Sequence, residues 1–161
     1  MVSRQYFQSV FGYHFWANSR ILNKASLIQP EEFKEDLGVS HGSLHATLFH
    51  MLRAEEIWYQ LIERGELKSA PLVPADVDSL TAIKAKWMEI EKKYLTFLDR
   101  AADDDFEATV QVKDQNDVVT PYQRWRMLQH VLYHGAQHRA EAALILTHLG
   151  HSTGDLDFIF Y

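Results

Sequence analysis

His130, His134 and His138 stand four residues apart. On a helix such positions stack on one face. Met127, Val131, Ala142 and Ile145 fall along the same side, which turns the imidazoles toward an interior. An imidazole there needs a partner for its ring-nitrogen lone pair, and a divalent cation accepts that lone pair well. His134 and His138 make an i,i+4 pair of the kind that grips zinc in HExxH proteases. Here Gly135, Ala136 and Gln137 lie between them. The glutamate base of such proteases is missing, which excludes that chemistry. His130, one turn earlier, suits a supporting or structural place better than the same tetrahedron.

A third ligand must come from another segment. His50 is the leading candidate, because Thr47, Ala54, Ile57 and Leu61 put it on an apolar face as well. His45 is the second choice and points to roughly the opposite side of the same segment. Three imidazoles with an open fourth position define a metal site of catalytic type. The competing reading is that an interior histidine is a hydrogen-bonded core residue. His14, among the apolar positions of the first helical segment, has no assigned role. His148 and His151 fall near a helix end, where an imidazolium suits the dipole.

Composition sharpens this reading. The 161 residues include nine histidines and no cysteine. Thiolate metal sites, disulfides and cysteine nucleophiles are therefore excluded, and a cation must be bound through imidazole and carboxylate. Sixteen basic against twenty-two acidic residues give a net charge of −6. No Lys/Arg stripe marks a nucleic-acid binder. No run of eighteen apolar residues and no signal-peptide-like start is visible. The expectation is a cytoplasmic protein acting on a small molecule, with no nucleic acid or membrane as partner.

The elements that must position these histidines are helices. Seven glycines and four prolines leave few breakers. Phe7, Val10, Phe11, His14, Ile21, Leu22 and Ala25 recur at helical spacing and predict a first helix over 3–28. Pro30, with Glu31 and Glu32, stops it and starts a local turn. Ser40, or alternatively Ser43, caps a second helix that ends at Gly65. Leu44, Leu48, Met51, Trp58 and Ile62 belong to its apolar face. Residues 69–78 form a linker. Ser79 or Thr81 caps a third helix, which buries Ile83, Trp87, Ile90, Tyr94, Phe97 and Leu98. Val110 and Val112 alternate with polar residues ahead of a turn-like Gln115-Asn116-Asp117, which predicts a short hairpin before the fourth helix. Thr120-Pro121 reads as the N-cap and first residue of that helix, and Gly150 stops it. Four long amphipathic segments predict one all-α domain over 1–161, a four-helix bundle.

Three stretches resemble the DinB/YfiT-like family of metalloenzymes. Tyr13-His14-Phe15-Trp16-Ala17-Asn18-Ser19-Arg20-Ile21-Leu22 is similar to the family's aromatic-W-A-N-x-R-L-L stretch. Leu48-Phe49-His50-Met51-Leu52-Arg53-Ala54-Glu55-Glu56-Ile57-Trp58 is similar to its L-x-H-hydrophobic-x-x-A-E-x-x-W stretch. The run from His130 to Arg139 is similar to H-x-x-x-H-x-x-x-H-R, and Asp155 to Tyr161 looks like the closing segment. The resemblance covers nearly the whole chain. It implies a four-helix bundle in up-down-down-up order, often a homodimer. It also implies a metal, zinc or nickel, held by His50, His134 and His138. One departure is Ala140-Glu141, where the family often has Gly-Gln. Glu141 follows His138 by one turn and reads either as an acceptor behind a ligand imidazole, as a proton carrier, or as a solvated residue.

The resemblance also implies chemistry. Characterised relatives include transferases and isomerases that use a low-molecular-weight thiol such as bacillithiol or mycothiol. An open metal position would bind the cosubstrate thiol and lower its pKa, and the thiolate would attack an electrophile. The sulfur would arrive with the cosubstrate, so the absence of cysteine is no obstacle. A rival reading is hydrolysis by a metal-activated water, with Glu141 as the weak candidate for a catalytic base. A third is a non-catalytic stress-related protein that binds a metal or a small molecule.

Overall fold

A computed structural model describes residues 3–161. The long helices are α1 (Arg4–Ala25), α3 (Leu44–Arg64), α4 (Leu80–Arg100) and α6 (Arg124–His148). Short helices α2 (Pro30–Lys34) and α5 (Asp103–Glu107) sit in the connections. A hairpin of β1 (Thr109–Lys113) and β2 (Val119–Gln123) precedes α6, and 3₁₀ turns occupy Pro74–Val77 and Phe158–Phe160. No helix among the described residues is long and apolar enough to cross a membrane.

Side chains choose the helix boundaries. The hydroxyls of Ser3, Ser43 and Ser79 accept from Tyr6, Ala46 and Ala82 backbone N–H groups, so each satisfies an orphan donor of the first turn. Ser43, rather than Ser40, therefore starts α3. Gly65 ends it with φ +77°. A Cβ there would stand 2.3 Å from the Gln111 carbonyl oxygen, so glycine is needed for space as well as for φ.

The fourth helix starts later than Thr120-Pro121 suggests. Those two residues lie in β2, where Pro121 pairs with Gln111 and Thr120 with Val112 in antiparallel register. Among the described residues β2 has only β1 as a neighbour, and a proline without an N–H is tolerated on such an edge. The helix begins at Arg124, whose backbone N–H reaches the Ala108 carbonyl and whose guanidinium donates to the Ile62 and Asp105 carbonyls. The predicted hairpin is present. Its Val110 is buried against the end of α3, and Lys113 N–H donates to the Gly65 carbonyl.

Helix directions follow from which residues meet. Gln8 bonds Asp99 and Phe11 stacks on Tyr94, so α1 and α4 are antiparallel. Tyr59 meets Tyr94 and Glu63 meets Arg100, while Glu56 lies by Lys86, so α3 and α4 run parallel. His50 faces His134 and Trp58 faces His130, so α3 and α6 are antiparallel. Tyr6 bonds Gln129 and His14 bonds Arg139, so α1 and α6 are parallel. The order is up-down-down-up, with each long helix packed on two others. Phe7, Phe11, Leu48, Leu52, Ile90 and Leu146 lie in one buried cluster between them. The C-terminal segment returns over α1, where Tyr13 donates to the Leu156 carbonyl and Phe158 packs edge-on against the Tyr13 ring.

Candidate metal centre

The antiparallel contact of α3 and α6 brings His50, His134 and His138 together. His50 Nε2 lies 3.0 Å from His134 Nε2. The His50 and His138 rings are 4.6 Å apart between centroids, and those of His134 and His138 are 4.4 Å apart. The stripe on α6 is graded: His130 is exposed, His134 half-buried and His138 buried. His130 packs on Trp58 at the outer end, with ring centroids 4.6 Å apart. His45 lies elsewhere. Its Nε2 donates to the Val77 carbonyl at 2.9 Å and its ring meets Phe33.

Glu141 sits behind His138. Its Oε2 accepts from His138 Nδ1 at 2.7 Å and from the Ser40 hydroxyl. The proton is thereby drawn to Nδ1, which leaves the His138 Nε2 lone pair free. Burial alone would raise the Glu141 carboxyl, but the hydrogen bonds from Ser40 and His138 outweigh it and pull it below the ordinary value. Burial pushes His134 down to about 4, helped by its histidine neighbours. His50 is lowered too, first by burial and then by His41 and His138. These lowered values keep the imidazoles neutral, the form that a cation requires.

His41 was not legible as a participant. It lies in the loop before α3, with its ring 4.1 Å from that of His50. One nitrogen each of His41, His50 and His138 lie within 4.8 Å of one another, a group able to hold a metal ion. Nothing at helical spacing pointed to it, because loop backbone rather than periodicity puts it there. Of the three expected ligands, His50 and His138 belong to that group and His134 does not. His134 reaches it through His50, at a 3.0 Å Nε2–Nε2 separation that is a hydrogen-bond distance and is also close to the roughly 3.3 Å that two imidazole nitrogens keep across one tetrahedral zinc.

A second polar cluster holds the helices at this level. Glu55, one turn beyond His50, is 2 % exposed. It accepts from Trp87 Nε1 at 2.8 Å, from His14 Nε2 at 2.9 Å and from Asn18 Nδ2 at 3.2 Å. Arg139, next to His138, donates to His14 Nδ1 at 2.7 Å and to Asn18 Oδ1 at 3.0 Å. His14 is thus a neutral imidazole that accepts at Nδ1 and donates at Nε2, and burial keeps its pKa below the ordinary value. Gly135 permits this approach, since a Cβ would stand 2.4 Å from His14 Cε1. Residues from α1, α3, α4 and α6 meet here, so the network fixes the helices that carry His50 and His138.

Beside the histidines is an open cleft of about 420 Å³, lined by His41, Phe49, His50, Arg53, Leu72 and Pro74 among others. The fold and this site together define a helical bundle with a histidine cluster at the α3–α6 contact, adjoining a cleft. The DinB family model matches residues 1–161, and the chain belongs to the DinB family. It is similar to Protein DinB of Bacillus subtilis (strain 168), 19% identical over 158 residues, which is 94% of this chain and 91% of that protein.

Proposed function

We propose that the protein is a divalent-metal enzyme in which His50, His134 and His138 hold zinc or nickel, and that it transfers a low-molecular-weight thiol to an electrophilic small molecule. The observation that carries the reading is the meeting of these imidazoles at the α3–α6 contact, where His50 lines an open cleft and His138 is oriented by Glu141. When bound, the cation supplies Lewis acidity that lowers the pKa of the cosubstrate thiol. The residues do the rest. His50, His134 and His138 present lone pairs from two rigid helices, and Glu141 holds the proton of His138 at Nδ1. Arg53, exposed at the cleft, spends its Nε–H on the Leu72 carbonyl and keeps its terminal N–H groups for an acidic cosubstrate.

The hydrolytic reading is less well supported. Glu141 Oε2 is already committed to His138 and Ser40, so the residue suits orienting an imidazole better than activating water. The test is a cobalt-loaded protein titrated with small thiols. A new near-ultraviolet charge-transfer band is expected for the wild type. No spectral response to any thiol would sink the transferase reading.

A further inference from the structure

The backbone of the loop between α2 and α3 follows a hydrogen-bonded path. Leu37 N–H donates to the Gly42 carbonyl and Gly42 N–H to the Val39 carbonyl, both at 2.8 Å. Gly38, Ser40 and Gly42 all take positive φ, at +67°, +52° and +95°. For Ser40 this is an uncommon conformation for a residue with a side chain. Its hydroxyl reaches Glu141, the carboxylate that orients His138. The loop is therefore anchored to α6 through the same group that serves the site. His41 follows directly. Its ring stacks on that of His50 at 25° and lies 5.1 Å from that of His138.

We propose that His41 is a fourth ligand of the same cation, and the exchangeable one, yielding its place to a small donor molecule that enters by the cleft. The inference rests on the metal reading above. Three imidazoles leave a tetrahedral cation one position short, and His41 lies against both His50 and His138. Their nitrogens fall within 4.8 Å of one another. His50, His134 and His138 are fixed by helices, whereas His41 is exposed on a loop and lines the cleft. It is the ligand whose departure disturbs least. A closed four-ligand site and an open cleft are then two states of one centre.

The test uses the full chain labelled with ¹⁵N-histidine and loaded with ¹¹³Cd. Scalar coupling to cadmium identifies each ligating nitrogen. Coupling is expected from His41 together with His50, His134 and His138. Saturating 2-mercaptoethanol should remove the His41 coupling alone. His41→Ala, which alters an exposed side chain, should keep its helical circular dichroism and bind cadmium at least tenfold more weakly. Coupling to the helix histidines without His41 would overturn this inference and leave the metal reading standing. Coupling to none would overturn both. A His41 coupling that survives the thiol would refute its exchange.

Discussion

Glu141 Oε2 lies 2.7 Å from His138 Nδ1 and also accepts from the Ser40 hydroxyl. This carboxylate fixes the tautomer of a buried imidazole and ties the loop that carries His41 to the helix that carries His138. Glu141→Gln should weaken metal binding about 10–100-fold, the usual effect of losing such a partner. Chelator competition measures it. Unchanged affinity would mean that Glu141 is a solvated residue with no part in the site.

Metal-free protein should lose stability in acid. His14 and His134 have lowered pKa values when folded, His134 to about 4, against about 6.5 when unfolded. Below about 6.5 the unfolded chain binds more protons than the folded one. Stability is therefore full above that pH and falls as pH drops toward 4. Urea unfolding at several pH values shows this, and His134→Gln should flatten the dependence without abolishing it, because His14 remains.

Glu55→Ala should destabilise the fold by about 1–3 kcal/mol or more, since it leaves the buried Trp87 Nε1, His14 Nε2 and Asn18 Nδ2 donors without their acceptor. Thermal unfolding reads the loss. Combining it with Arg139→Met should cost less than the two single changes added. Strict additivity would contradict a coupled network.

Gly135→Ala should also destabilise, by about 1–3 kcal/mol. Helix propensity alone favours alanine by roughly 1 kcal/mol. The added Cβ would meet His14 Cε1 at 2.4 Å, and overpacking outweighs propensity. A stabilised variant would show that α1 and α6 can move apart freely.

Much of the architecture was visible in local sequence. Ser43, Ser79 and Gly65 mark helix ends because capping needs only neighbouring residues. The histidines four apart on α6 share a side for the same reason, although burial is graded along the stripe, which tilts His130 outward. Thr120-Pro121 misled because the pair suits an edge strand as well as a helix start. Long-range assembly was less legible. His14, Asn18, Glu55 and Arg139 lie within the three motif stretches, yet only the folded bundle shows that they form one buried network. His41 depends on positive φ at Gly38, Ser40 and Gly42, which helical periodicity does not encode.

The most direct measurement is metal stoichiometry after loading with zinc at limiting free concentration, for the wild type and for single alanine variants at His45, His50, His130, His134 and His138. Wild type, His45→Ala and His130→Ala should each retain about one equivalent, by the three-imidazole requirement. His50→Ala, His134→Ala and His138→Ala should lose it while keeping their helical circular dichroism. Equal metal content across all of these proteins would contradict the account.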